Sequence, residues 1–319
     1  METKILKLFK KSPDVYLSGE QVSEALGVSR TAVWKHIEKL RGLGYEFDAV
    51  PHLGYRLRKS PDKLYSYEIE PFLNTRRIGR NIKYFDSLDS TNTTAYKFAK
   101  EGAIEGTAVI AEKQTKGRGR LSREWTSPKN KGIYTSIILR PNMAPYQAPG
   151  VTLVAAVSVA EALRSSTGIE ARIKWPNDIL INNKKISGIL TEMEAESDSI
   201  KFVILGIGIN LNSKFSELPK GSTSAFEELH RKVSRFEIAV DLFQKFEENY
   251  NIFNKEGFSP IRDKWHDLSA TLGRRVRATC INRKIEGEAV GIDTDGALKI
   301  RLDNGFHEKV MAGDLVLLR

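Results

Sequence analysis

The 319-residue sequence predicts an α+β fold in three successive units. Three changes of pattern along the chain predict it. Residues 1–63 carry apolar positions at helical spacing and close on two short alternating runs. Residues 66–270 mix β-branched runs with long helical patterns. Residues 271–319 are short strands punctuated by glycine turns.

In the first unit, Ile5, Leu6 and Phe9 lie on one face of an opening helix. Ser18–Leu26 reads as a second helix, with Ser18 as cap and Gln21 three residues on. Gly27-Val28 turns the chain, and Ser29 caps a third helix that carries Ala32, Val33, Ile37 and Leu40 inward. Helix, short glycine turn, helix is the helix-turn-helix pattern. Gly44–Leu57 then reads as two strands around Pro51–Gly54, a wing, so the unit is a winged helix-turn-helix. Behind Ser29 the third helix exposes Arg30, Thr31, Trp34, Lys35 and His36, a mixture suited to phosphates and base edges in a major groove. Taken singly, Trp34 is as readily a core anchor and His36 a plain surface residue. The coincidence of wing and basic helix is what favours DNA. Pro61–Tyr65 reads as a linker.

The central unit shows strand-like runs at 82–86, 107–112, 133–140, 171–175, 179–181, 186–194 and 201–212. Helical patterns lie at 91–101, 149–167 and 235–255, which suggests a mixed sheet with helices on one face. Ser90 or Thr91 caps the first of these helices. Residues 113–125 form a loop with Lys116, Arg118, Arg120 and Arg123 among glycines 117 and 119. Glycines let backbone approach a ligand, and guanidinium groups offer planar, permanently charged forks, so the loop suits a phosphate or adenylate. A solvated basic loop is the plain alternative. Further on, Pro176 ends a strand between Lys174 and Asp178, and Asn182-Asn183 turns a hairpin. Its returning strand opens with Lys185, beside a Gly188 that leaves room for an approaching group. Gly206 and Gly208 in a β-branched run mark a buried strand that something crosses closely, with Asn210 at its end; a bulged core strand is the competing reading.

In the last unit the strands are Arg275–Cys280, Lys284–Asp293, Ala297–Leu302 and Phe306–Val310. Asp295-Gly296 and Asn304-Gly305 are hairpin signals between them, as in a small β-barrel of the SH3-like kind.

Composition narrows the function classes. A hydrophobic content of 40% supports real cores, and a net charge of +10 favours a polyanionic partner. Cys280 is the only cysteine, so no intrachain disulfide forms and a reducing compartment fits. No stretch approaches the roughly 20 apolar residues of a membrane span, and the first residues lack a secretory signal, so cytoplasm without membrane attachment is the default. Five scattered histidines and one cysteine argue against a zinc centre or a protein-held metal.

Gly117–Arg120 with Trp125, Lys174–Asp178, Lys185–Gly188 and Gly206–Asn210, in that order, resemble the motifs of biotin protein ligases. With the amino-terminal unit included, all 319 residues resemble the family of bifunctional biotin ligases and biotin-operon repressors. Ser122 stands where some relatives carry a second glycine. The resemblance implies a central domain of the biotin/lipoate ligase type that joins biotin and ATP, with Mg²⁺, into biotinyl-5′-AMP. Biotin then passes to a lysine of a biotin carboxyl carrier protein. It also implies a repressor that binds operator DNA with the adenylate as corepressor, as a homodimer when adenylate-bound.

By the same resemblance, Lys185 bridges the biotin carboxylate and the α-phosphate, and Ser90, Thr91, Asn92, Gln114, Gly117, Arg118 and Gly188 meet biotin. Arg120, Arg123, Trp125, Lys174, Asn177 and Asn210 face the nucleotide. Asp178 accepts or orients the acceptor amine, with a structural turn carboxylate as the alternative. The chemistry suits such residues: a carboxylate is already ionised, so the barrier to its attack on a phosphate is mostly charge and positioning. Two other readings stay open: a transcription regulator with an inactive ligase domain, and a lipoate-attaching relative for the central domain.

Overall fold

The amino-terminal spacing produces three helices, α1 (Glu2–Lys11), α2 (Gly19–Leu26) and α3 (Arg30–Gly42). In this computed structural model, which describes residues 1–280 and 283–318, the chain divides into two units, Met1–Phe72 and Leu73–Arg319. The start of α2 is a complete capping box. Ser18 Oγ accepts the Gln21 N–H at 3.1 Å and Gln21 Oε1 accepts the Ser18 N–H at 2.8 Å, worth about 1 kcal/mol. Gly27 ends α2 in the left-handed region, and Ser29 Oγ accepts the Ala32 N–H at 3.2 Å to open α3. Ile5, Leu6, Phe9, Val22, Val33, Ile37 and Leu40 share one core with Tyr45 and Phe47. The wing is β1 (Glu46–Val50) paired antiparallel with β2 (Gly54–Lys59). The segment expected as a linker is not a free tether: Leu64 is fully buried, and α4 (Ser66–Ile69) seats a buried Glu68 against Tyr45 and Lys10.

The second unit is built on a seven-stranded mixed sheet. Its strands are β3 (Asn81–Phe85), β4 (Thr107–Ala111), β5 (Gly132–Leu139), β6 (Arg172–Lys174), β7 (Asp178–Ile181), β8 (Lys184–Glu196) and β9 (Ser199–Asn210). They run in the order β3-β4-β5-β9-β8-β7-β6, with only β3 and β4 parallel. The sheet is covered on both faces, not on one as the sequence suggested. Phe202 and Ile204 of β9 pack on α5 (Thr91–Lys100) through Ala95 and Ala99. Thr191 of β8, opposite Leu205, instead meets Thr152 of α6 (Ala148–Thr167) at 2.8 Å. Alternate residues of a strand face opposite ways, so the two helices lie on opposite faces. This is why β5 is buried at every position. The segment Pro145–Thr167 is, against expectation, long and apolar enough to cross a membrane, but 72% of its apolar 18-residue window is buried within the fold. A short α7 (Ala225–Leu229) leads to α8 (Arg235–Glu256) and α9 (Ser259–Leu268), which pack with α6.

The carboxy-terminal strands are β10 (Arg275–Thr279), β11 (Lys284–Ile292), β12 (Leu298–Arg301), β13 (His307–Val310) and β14 (Asp314–Leu317). They form one antiparallel sheet in the order β13-β12-β11-β10-β14. Both glycine hairpins turn where expected, with Gly296 and Gly305 at positive φ. The sheet belongs to the same unit as the central domain, and Trp175 Nε1 donates to the Gly296 carbonyl at 3.0 Å across that junction.

Candidate active site

Two glycines decide the floor of the site. A Cβ on Gly206 would lie 2.1 Å from Asn92 Oδ1, and one on Gly208 would lie 2.4 Å from Trp125 Cε2. The group that crosses β9 is therefore the indole of Trp125, with the amide of Asn92 one pleat away. Gly188, opposite Gly208 on β8, continues the floor under the same ring. The Trp125 backbone is tied down by its N–H donating to the Gly117 carbonyl at 2.9 Å, and a Cβ on Gly117 would strike the Trp125 carbonyl.

Around this floor lies a cavity of about 220 Å³. At one end the start of α5 is held by polar groups. Ser90 Oγ caps Thr93, and Gln114 Oε1 accepts both the Thr91 N–H at 2.7 Å and the Thr91 hydroxyl at 3.0 Å. Gln114 Nε2 donates to Ser127 Oγ at 2.9 Å, and Ser136 Oγ donates to Asn92 Oδ1 at 2.6 Å. The hydroxyls and amides held in fixed orientations around this helix start suit a polar ligand end.

At the other end the cations gather. Lys185 Nζ is 2.6 Å from Asp178 Oδ1 and 5.5 Å from the centre of the Trp125 ring. The β7–β8 hairpin produces this pair, since Asn182 and Asn183 both take positive φ and return the chain directly. Arg120 donates to Asn177 Oδ1 at 2.9 Å and to the Gly313 carbonyl at 3.0 Å. Burial disfavours its charged form and holds its pKa below the ordinary value, against the pull of Asp314 and Asp178. Arg123 pairs with Asp314, and Arg118 reaches Thr93 Oγ1 at 3.3 Å and Glu192 at 3.2 Å. Each of these three arginines is met by an oxygen of the protein.

Ser90, Thr91, Asn92, Gln114, Arg118, Arg120, Arg123, Trp125, Asn177, Asp178, Lys185 and Gly188 all line the one cavity. Gly117, Lys174 and Asn210 do not. Gly117 acts through its backbone. Lys174 sits on β6, where burial lowers its pKa although Asp178 opposes that shift. Asn210 is buried at the end of β9, donating to the Thr223 carbonyl at 3.2 Å, and its Oδ1 has no hydrogen-bond partner among the described residues. Sequence reasoning missed Glu192, Ser136, Ser127 and Asp314. The first three are single polar residues in strands or loops without a motif, and Asp314 arrives from the carboxy-terminal sheet.

In the amino-terminal unit, Arg30, Thr31, Trp34 and Lys35 are exposed along α3, with Trp34 51% exposed, so Trp34 is not a core anchor. Ser29 is exposed at the helix cap, and Arg30 is paired with Glu20 at 2.6 Å. His36 turns toward Glu2 of α1, at 3.4 Å, away from that row.

A glycine-floored mixed sheet with a cationic loop over a lysine–aspartate pair defines a ligase domain of the biotin/lipoate type. Residues 84–210 match the biotin/lipoate A/B protein ligase family, residues 2–56 an HTH domain, and residues 271–318 the biotin protein ligase C-terminal domain. The chain belongs to the family of bifunctional ligase/repressor BirA proteins. It is 43% identical to the Bacillus subtilis member over 98% of this chain and 97% of that one. It is 32% identical to the Escherichia coli member over 94% and 92%. Among solved structures it is similar to the biotin protein ligase from Aquifex aeolicus in complex with biotin and ATP. That similarity has a TM-score of 0.65 at 31% identity, covering 75% of this chain and 99% of that one.

Proposed function

We propose that this protein forms biotinyl-5′-AMP from biotin and ATP, transfers biotin to a lysine of a biotin carboxyl carrier protein, and represses biotin genes with the adenylate as corepressor. The observation that carries the enzymatic half is Lys185 paired with Asp178 at 2.6 Å on a glycine floor beneath an arginine loop. In the first step a biotin carboxylate oxygen bonds to the α-phosphorus while the bond to pyrophosphate breaks. Lys185 exchanges Asp178 for the two approaching anions and lowers their repulsion. Arg120 and Arg123 take the phosphate side, and Trp125 the adenine. The α5 start, with Ser90, Thr91, Asn92, Gln114 and Arg118, takes biotin. Lys174, Asn177 and Asn210 support the nucleotide from beneath.

In the second step a neutral acceptor amine attacks the acyl carbon and AMP leaves. Asp178, once released from Lys185, is the carboxylate that orients that amine and accepts its proton. Mg²⁺ accompanies ATP. That ion keeps few protein ligands and is carried mainly by the phosphates.

Domains 1–63, 66–270 and 271–319 carry DNA binding, catalysis and loop support respectively. Ser29, Arg30, Thr31, Trp34 and Lys35 form the DNA-reading face, and His36, turned toward Glu2, stands apart from it. The adenylate orders the loop and favours pairing of two protomers, and so operator binding, provided it binds the pairing state more tightly. The cytoplasm, which holds ATP, carrier and DNA together, is the location this reading requires. Mass spectrometry of a carrier domain after incubation with enzyme, ATP and biotin tests it. A biotin-sized mass increase on one lysine, not displaced by lipoate, is expected. An unmodified carrier, with no pyrophosphate released, defeats the enzymatic reading. Sedimentation with and without both ligands tests the pairing.

A further inference from the structure

Arg235 and Glu112 form an ion pair at 2.7 Å in which both side chains are wholly shielded from solvent. Neither has a part in the chemistry above, and neither lines the reaction cavity. Their place in the chain is informative. Glu112 is the residue that follows β4, and Gly132 is the first residue of β5. Everything between them, residues 113–131, is the loop that bears Gln114, Arg118, Arg120, Arg123 and Trp125. Arg235 Nη1 donates to Glu112 Oε2 and, at 3.1 Å, to the Gly132 carbonyl. One guanidinium from the start of α8 thus holds both roots of the cationic loop.

Backbone bonds also reach the roots: the Glu112 N–H donates to the Phe85 carbonyl at 3.0 Å, and the Asn212 N–H to the Lys131 carbonyl at 2.6 Å. Asn130 N–H donates to the Glu112 carbonyl at 3.1 Å, and the Lys131 carbonyl accepts from Leu211 at 3.2 Å. The loop between is tied to itself, through Trp125 to Gly117 and Gly119 to Arg123, and to its surroundings, through the Thr115 N–H to the Leu88 carbonyl and the Lys116 N–H to the Asp89 carbonyl, each at 2.9 Å. Both bonds leave the one nitrogen Nη1, whose two N–H groups lie in the guanidinium plane and point in fixed directions, whereas an ammonium is a point charge without that geometry.

We propose that Arg235 is a positioning residue for adenylate retention: a buried clamp that fixes the spacing of the two loop roots, and through them the seating of Gln114 and Trp125. The retention half rests on the function proposed above; the clamp itself does not. Arg235→Lys keeps the buried charge balanced while losing the fixed directions of the guanidinium N–H groups. The paired change Glu112→Leu with Arg235→Met removes both charges without leaving one unpartnered, and serves should the first variant fail to fold.

Trypsin is the first probe, because Lys116, Arg118, Arg120 and Arg123 offer cleavage sites inside the loop. Ligand-free full-length variant, digested well below its melting temperature, should be cut within residues 113–131 about tenfold faster than wild type, with cutting elsewhere unchanged. Loop cutting at the wild-type rate, or faster cutting spread over the whole chain, overturns the proposal. The second probe is the half-life of preformed biotinyl-5′-AMP on the enzyme, which should shorten by about the same factor. A loosened loop that keeps the adenylate as long as wild type overturns the retention role. A wild-type protein that forms no adenylate at all would instead indict the proposed function and leave the trypsin result standing.

Discussion

Replacing Gly208 with alanine adds one methyl group beneath Trp125. The new Cβ would lie 2.4 Å from Cε2 and 2.5 Å from Nε1 of the indole. The ring must therefore rise by about 1 Å to regain van der Waals separation. The strand cannot yield instead, because Gly208 is registered against Tyr134 on β5 and Gly188 on β8. The ring borders the open cavity of about 220 Å³, so the displacement goes into that space. Destabilisation then stays near the low end of the roughly 1–3 kcal/mol typical of overpacking. Function suffers more. A shift of about 1 Å in a positioning group costs on the order of 10²-fold in rate, equivalent to about 2.7 kcal/mol of transition-state stabilisation. The assay is pyrophosphate release at saturating biotin with ATP varied, alongside thermal melts. Gly119→Ala is the control, since its Cβ meets the Arg123 carbonyl at an ordinary 3.5 Å. A Gly208→Ala enzyme whose kcat/KM for ATP stays within about twofold of wild type refutes the argument that the indole floor positions the nucleotide.

Four other outcomes follow from the same geometry. Lys185→Ala should lower adenylate formation by about 10²–10³-fold with an unchanged melting temperature; near-normal pyrophosphate release would remove its role. Arg120→Gly loses its bonds to Asn177 and the Gly313 carbonyl, so the adenylate should escape and label lysines on bystander proteins; retained selectivity for the carrier argues otherwise. Glu2 is held at about 2 chiefly by the hydrogen bond from Lys39. Because the folded value is depressed, its stabilisation is present above the ordinary carboxylate value of 4.5 and is lost as pH falls toward 2. Lys39 is 65% exposed, so screening limits the effect to under about 1 kcal/mol, and Glu2→Gln should flatten the acid side of the melting profile. Trp34→Ala should weaken operator binding without altering the melt, because the ring is 51% exposed; unchanged DNA affinity would take Trp34 off the reading face.

Most of the fold was legible because local rules decided it. The Ser18 capping box, the Ser29 cap, the paired asparagines at 182–183 and the two glycine hairpins each fix a boundary through neighbours a few residues away. The strand β14 and the helix α9 went unread. Asp314–Leu317 is too short to show alternation, and α9 opens on Ser-Pro with no side-chain cap bond. That helices cover both faces of the central sheet was also hidden, since an all-apolar strand reads alike whether one or two layers bury it.

The sequence by itself marked many of the residues that line the cavity: the loop arginines, Lys185, Asp178 and the glycines of β9 stand in motifs whose residue types announce their chemistry. Only the tertiary structure decided what those groups touch. Trp125 crosses Gly208, Asp314 meets Arg123, and Arg235 joins Glu112 to Gly132, in each case bringing together residues far apart in the chain. The physical reason is range. Caps, turns and periodicity are set by neighbours along the backbone, whereas the partner of a buried charge or a flat ring is chosen by how sheets and helices close on one another.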